Sequence, residues 1–315
     1  MNVLLLLVGL ALVLVGAGLL TDGGAALAQR FRVPEFIVGL TVVAVGTSAP
    51  ELVVSLLSAI GGQSDVAVGN VVGSNLFNTF VILGVCALVR PLVLSRSNIR
   101  RDIPFGFVVS VLFFLFASDR LLHLGAADRI DRVDGIVMLA LYAGSMWFSV
   151  KTAGRSGAPA QADKPAKALW LTFVLIVVGL AGLVGGGELF LHHATLIARR
   201  LGVSESVIAI TLVAGGTSLP ELASSVVAVA KGRPELALGN VLGSNIANIL
   251  LILGVSASVR PLALGGITAL DIGMVVLGSF LLFLAAFTFR RKVVDRWEGA
   301  IFLAVYGVYL WYLIR

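Results

Sequence analysis

Moved forward by 170 residues, the chain matches itself. Residues 41–55 read TVVAVGTSAPELVVS and residues 211–225 read TLVAGGTSLPELASS, with ten of fifteen positions identical. Residues 69–84 read GNVVGSNLFNTFVILG and residues 239–254 read GNVLGSNIANILLILG, with ten of sixteen identical. The offset holds through Arg90-Pro91 and Arg260-Pro261, so nothing is inserted between the two motifs in either half. The shared letters are mostly Gly, Thr, Ser, Pro, Glu and Asn. Two segments that merely share an apolar composition would share Leu and Val instead.

The repeat is written in segments suited to a membrane. Residues 3–20, 36–50, 103–118, 135–150, 168–187 and 236–259 carry no charge, and 297–314 carry one glutamate. About 20 apolar residues span the hydrocarbon core as a helix. Only 13% of residues are charged, against about 25% in soluble domains. Ten spans follow, near 2–21, 35–61, 66–89, 103–121, 132–150, 169–190, 204–230, 236–259, 266–289 and 297–314. MNVLLLLVGL has no basic segment ahead of its apolar run, so 2–21 reads as a first span and not as a leader. Five spans per copy is an odd number, so the second copy enters the membrane in the opposite sense. The expected fold is an all-α integral membrane protein of ten transmembrane helices in two inverted five-helix repeats. Helices 2 and 7 are expected to be broken. The repeats are 1–150 and 169–315, joined by a polar linker at 151–168, KTAGRSGAPAQADKPAKA.

A pI near 9.9 does not imply nucleic acid, because the basic residues fall in short loops between apolar runs. Of 23 Lys and Arg, 16 lie in one alternate set of loops and 7 in the other. The positive-inside rule puts the richer set, with 151–168, in the cytoplasm and both termini outside. Arg199-Arg200 runs against this bias. Cys86 is the only cysteine, so an intrachain disulfide is excluded and the thiol reads as a packing group.

Polar residues inside these spans carry the functional signal. Gly-Thr-Ser-Ala-Pro-Glu at 46–51 and Gly-Thr-Ser-Leu-Pro-Glu at 216–221 each bury a glutamate in a hydrophobic span. Such a carboxylate is costly unless it is paired or lines a wet cavity. Pro50 and Pro220 have no N–H and clash with the carbonyls of Gly46 and Gly216, which kinks the helix and frees backbone oxygens. Carbonyls, hydroxyls and carboxylates are the ligands that hard cations take. Thr47, Ser48 and Glu51 share a helix face by their spacing, as do Thr217, Ser218 and Glu221. Asn70, Ser74 and Asn78 form a polar stripe at intervals of four, repeated by Asn240, Ser244 and Asn248. Asn75, Asn245, Ser55 and Ser225 read as structural. Two ionised glutamates carry −2, which one calcium ion or two sodium ions neutralise. The empty site is then penalised in hydrocarbon, and exchange is favoured over leak.

These paired motifs, GTSAPE…GNVVGSNLFN and GGTSLPE…GNVLGSNIAN, resemble the alpha-repeats of the cation/calcium exchanger superfamily, specifically its prokaryotic sodium/calcium exchangers. The resemblance covers nearly the whole chain. It implies a multi-pass protein of the prokaryotic plasma membrane, functional as a monomer, with membrane lipid around it. Calcium and sodium are its substrates, and it needs no cofactor and no nucleic acid. It further implies a central site between helices 2, 3, 7 and 8, and alternating access by sliding of helices 1 and 6. Carried over by position, Glu51 and Glu221 bind both ions with Thr47 and Thr217, and Ala44 and Ala214 offer backbone carbonyls. Ser48, Ser74, Ser218 and Ser244 complete flanking sodium sites, and Asn78 and Asn248 line the middle. Some relatives have Asp where this chain has Asn248; with two carboxylates only, potassium co-transport is not expected. The linker is also too short for the large regulatory loop of animal relatives.

The remaining polar residues read as bland. Glu188, near the outer end of span 6, has no mate because position 18 is Gly. His123, His192 and His193 lack metal-ligand spacing, and Asp65 and Glu235 sit beside turns. Asp119, Asp128, Asp131 and Asp134 read as an exposed loop. Trp147, Trp170, Trp297 and Trp311 mark span ends. A calcium/proton antiporter of the same superfamily and a passive channel are the competing readings. An intramembrane enzyme lacks its motifs: there is no His-Glu-x-x-His, no Gly-x-Ser-x-Gly with a partner His and no Walker loop.

Overall fold

The computed structural model describes residues 1–119, 128–153, 167–201, 214–288 and 292–314. Its apolar surface faces outward. Val3 and Leu4 are 61% and 64% exposed and Trp170 is 69% exposed, whereas Glu51 is 0% exposed. That distribution suits a hydrocarbon solvent, where backbone groups must be satisfied inside helices. The helices are α1 (Asn2–Phe31), α2 (Glu35–Thr47), α3 (Ala49–Ile60), α4 (Ser64–Val89), α5 (Ile103–Phe116) and α6 (Arg132–Ala153). They continue with α7 (Leu169–Arg200), a short α8 (Ala214–Gly216), α9 (Leu219–Ala230), α10 (Pro234–Val259), α11 (Ala269–Ala285) and α12 (Arg296–Ile314). Among the described residues, five helices are long and apolar enough to cross a membrane, and α2 with α3 form a sixth candidate bent by 48°. The chain is a membrane protein.

The repeat is visible element by element. The span α3 and the start of α4 recur 170 residues later as α9 and α10. Strand β1 (Leu92–Val93) recurs at the same offset as β3 (Leu262–Ala263), and β2 (Arg129–Ile130) recurs 164 residues on as β4 (Val293–Val294). The strands pair across the copies: β1 is antiparallel to β4, with Leu92 opposite Val294, and β2 to β3, with Ile130 opposite Leu262. The turns after α3 and α9 are matched too. Gly62 and Gly232 have φ of +81° and +77°, a region that glycine enters without penalty. Arg260 lies against Gly62, and Arg90 against Gly232. The two copies therefore interlock by exchange of equivalent parts.

Close helix contact depends on glycine at two places. A Cβ on Gly16 of α1 would lie 2.7 Å from the Gly179 carbonyl oxygen of α7, and one on Gly179 would lie 2.6 Å from the Leu20 nitrogen. A Cβ on Gly239 of α10 would lie 2.2 Å from the Phe36 carbonyl oxygen. Small residues are what bring helix backbones together in lipid.

The expected boundaries are corrected in several places. Spans 1 and 6, expected to end at 21 and 190, run to Phe31 and Arg200. Asp22 does not stop α1, because Lys231 pairs with it at 2.8 Å, and Gly23 packs tightly on Ile176. Spans 4 and 9 are shorter than expected, and α11 starts late because Thr268 and Asp271 form a capping box. Asp131 and Asp134 are not a plain exposed loop: the Asp134 carboxylate accepts from the Asp131 N–H at 2.8 Å and opens α6. Asp295 and Glu298 repeat that arrangement before α12, at 3.0 Å. Most of linker 151–168 and His123 lie outside the described residues.

Candidate ion site

Each half supplies one buried glutamate just past a helix break. Pro50 and Pro220 stand in the first turns of α3 and α9. There the missing N–H costs nothing, so proline starts a new helix more readily than it continues the old one. Ser48 and Ser218 form the hinges, with φ/ψ of −82°/9° and −88°/8°. The same hinge is thus built twice. Glu51 and Glu221 follow within the first turn and are 0% and 1% exposed. The N-terminal end of a helix favours a negative group.

The hinge serines bridge the two copies. The Ser48 hydroxyl donates to Glu221 Oε1 at 2.8 Å, and the Ser218 hydroxyl donates to Glu51 Oε1 at 3.2 Å. Thr47 and Ser244 also approach the Glu221 carboxyl, and Thr217 approaches that of Glu51. This corrects the face-sharing expected from spacing. The break turns Ser48 away from its own Glu51 and hands it to the glutamate of the other copy.

Around these bonds lie buried polar atoms without partners among the described residues. On the two motifs they are Glu51 Oε2, Glu221 Oε2, the hydroxyls of Ser74 and Ser244, both side-chain polar atoms of Asn78 and Asn248, and Oδ1 of Asn75 and Asn245. An unsatisfied buried polar group costs about 1–3 kcal/mol, more if charged. The set is matched residue for residue between the copies and lies on the motifs. Buried polar groups left open in matched positions call for a specific explanation, and a bound ion is the one their chemistry suits. Asn78 and Asn248 sit in matched π-helical turns, Phe77–Ile82 and Ala247–Leu253, a local distortion frequent at functional sites.

A supporting shell holds the broken helices. Asn70 donates to the Glu51 carbonyl at 3.2 Å and to Ser55 at 2.9 Å. Asn240 donates to Ser224 and Ser225, both at 2.9 Å, and accepts from Thr47 at 3.2 Å. Asn70 and Asn240 therefore separate from the rest of their stripe and position the glutamate helices. Ser55 and Ser225 are structural, as expected. Asn75 donates to the Val71 carbonyl and Asn245 to Thr79, both at 2.8 Å, and the Oδ1 of each is left without a partner among the described residues. The Ala44 carbonyl already accepts from the Ser48 N–H at 3.0 Å and the Thr47 hydroxyl at 3.3 Å. Spacing did not reveal Ser224 or the Thr47–Asn240 bond, although the Asn stripe pointed to the helix that supplies it. Ala214 opens the described part of the seventh span, and Thr217 is half-buried.

Among the described residues no group of three or more His, Cys, Asp or Glu is placed to hold a metal ion. A cation here would meet two carboxylates and neutral oxygens, a hard donor set suited to alkali and alkaline-earth ions. The residues read as bland stay outside it. Glu188 is exposed along α7, well before its end, and His193 is buried against His192. Asp65 and Glu235 are exposed, and the four tryptophans are 56–70% exposed.

The model of the family described as sodium/calcium exchanger protein matches residues 1–151 and 171–315. The putative antiporter CaxA of Alkalimonas amylolytica is 34% identical, over 98% of this chain and 97% of its own. The sodium/calcium exchanger MaX1 of Methanosarcina acetivorans is 32% identical, over 98% and 97%. A solved structure of the sodium-calcium exchanger NCX_Mj, soaked without sodium or calcium, superposes with a TM-score of 0.85 at 31% identity, covering 99% of this chain and 98% of that one. With both halves matched and relatives aligned end to end, the chain belongs to the sodium/calcium exchanger family.

Proposed function

We propose that the chain is a secondary active transporter that exchanges sodium for calcium across the membrane by alternating access. The observation that carries this is the pair of buried glutamates, each held on one oxygen by the other copy's serine and left open on its second oxygen. Two carboxylates at one buried site are costly while both are ionised and uncompensated. One calcium ion or two sodium ions remove that cost, and the neutral loaded site crosses more readily than the empty one. Counter-transport follows from that difference. The cargo ligands are Glu51, Glu221, Thr47, Thr217, Ser48, Ser218, Ser74, Ser244, Asn78 and Asn248. The Ala44 and Ala214 carbonyls join once Ala44 exchanges a hydrogen bond for the ion.

In this reading the chain has ten spans in two inverted repeats, 1–150 and 169–315, with linker 151–168 in the cytoplasm and both termini outside. Strand pairing across the copies and the matched hinges support the symmetry. The glycine-lined contact of α1 with α7 offers a smooth surface for movement of these helices past the site. The transporter acts as a monomer in a prokaryotic plasma membrane.

Proteoliposomes loaded with sodium and diluted into sodium-free calcium should take up calcium, and a pH gradient alone should not drive uptake. Glu51→Gln and Glu221→Gln should each abolish uptake while the protein still inserts and elutes as folded. Uptake that follows the pH gradient and ignores sodium would overturn the sodium assignment. Full activity in either variant would overturn the site.

A further inference from the structure

Lined by none of the candidate ion ligands, a cavity of about 460 Å³ is bounded by Arg96, Ile99, Arg100, Ala286, Phe287 and Lys292. It lies where the chain enters α5 and leaves α11, beside the β1–β4 pair, in connections that the charge bias assigns to the cytoplasmic membrane surface. Ile99 and Ala286 are buried in its wall, whereas Phe287 is 55% exposed. Three cations with an apolar wall form an amphipathic cavity. Arg96, Arg100 and Lys292 have no ion-pair partner among the described residues. Their neighbour Arg101 pairs with Asp102 at 2.8 Å and donates to Thr152 at 2.7 Å. The volume falls in the range of small-molecule sites.

The internal repeat supplies a control. The same corner is built a second time around the β2–β3 pair. At the 170-residue offset Arg96 and Arg100 become Gly266 and Leu270, and at the 164-residue offset of the strands Lys292 answers to Asp128. The fold therefore does not require cations at this corner. A general excess of positive charge on one membrane face explains their sign but not their convergence on one cavity. We infer that this cavity binds a phosphate group presented by an anionic membrane lipid, with the lipid's apolar part against Ile99, Ala286 and Phe287. Cationic pockets between spans at a membrane surface take such head groups. The inference does not depend on which ions the central site carries.

The test is lipid retention by the purified full chain, titrated with phosphatidylglycerol or phosphatidylcholine and read by native mass spectrometry. A cation in contact with the bound head group contributes roughly five-fold to affinity, so Arg96→Gln/Arg100→Gln/Lys292→Gln should lower phosphatidylglycerol affinity roughly 100-fold. Phosphatidylcholine binding should not change. Arg30→Gln/Arg32→Gln removes two cations outside the cavity and should have little effect. Equal retention by the triple variant, or an equal loss in the Arg30/Arg32 control, would overturn the proposal. A separate arm adds inorganic phosphate and reads thermal stability. Stabilisation of the native chain but not of the triple variant, with no selective lipid retention, would assign the cavity to a soluble anion and overturn the lipid assignment.

Discussion

Ser48 shows what a single residue reveals only in three dimensions. Its spacing from Glu51 suits a shared helix face, yet its hydroxyl bonds to Glu221, 173 positions along the chain. The cause is local: Pro50 restarts the helix, and the hinge at Ser48 redirects the side chain. The candidate residues stood out in the sequence because an ionisable group inside an apolar span is costly without a partner or a function. Their pairing did not, because a break of 48° removes the periodicity that spacing arguments rely on. Reciprocal pairing makes a sharp prediction. Hydrogen bonds to charged groups are worth about 1.5–3 kcal/mol. In equilibrium unfolding, Ser48→Ala and Glu221→Gln should therefore couple by about 1 kcal/mol or more, while Ser48→Ala and Glu51→Gln should be additive. Coupling of Ser48 to Glu51 alone would refute the exchange. Asn248 offers a second test. Asn248→Asp raises the formal charge of the empty site from −2 to −3, so calcium flux should become more dependent on pH or on the accompanying cation. An unchanged profile across pH and cation would place Asn248 away from the transported ions.

At the scale of elements, α1 and α7 departed most from expectation. Their spans were expected to end at 21 and 190, yet each helix runs ten residues further, through Gly23 and Gly24 in α1. Helix propensity disfavours glycine by about 1 kcal/mol relative to alanine, but tertiary contact outweighs that preference here. Lys231 donates to both the Gly18 carbonyl and Asp22 at 2.8 Å, which makes a charged turn tolerable in the helix. Gly16 and Gly179 are where the two backbones meet. Gly16→Ala should therefore destabilise the folded protein by about 1–3 kcal/mol, since a methyl group pressed on backbone cannot be relieved by a side-chain rotation. A methyl group added at Gly144 in α6 would meet nothing within 4 Å. Gly144→Ala should be neutral or stabilising by up to about 1 kcal/mol. Unfolding in mixed detergent measures both, and equal effects would argue that the α1–α7 contact is not glycine-dependent.

For the molecule as a whole, the 170-residue offset already related Glu51 to Glu221 and α3 to α9. It did not reveal that the copies trade strands, because two-residue strands leave no alternation to read. Nor did it reveal the change of offset to 164 between β2 and β4, which follows from a shorter connection in the second half. What an offset cannot distinguish is a direct from an inverted repeat; that depends on how many spans separate equivalent residues. Asp65 and Glu235 are symmetry mates and both are exposed, and the native thiol of Cys86 is buried. In the proposed ten-span arrangement five spans separate them, so they would face opposite sides of the membrane, with Asp65 outside by the distribution of Lys and Arg. In sealed right-side-out vesicles, Asp65→Cys should react with an impermeant maleimide. Glu235→Cys should react only after permeabilisation. Labelling of both from the same side would mean an even number of spans between them, and with it a direct repeat whose two glutamates could not serve the two membrane faces in turn.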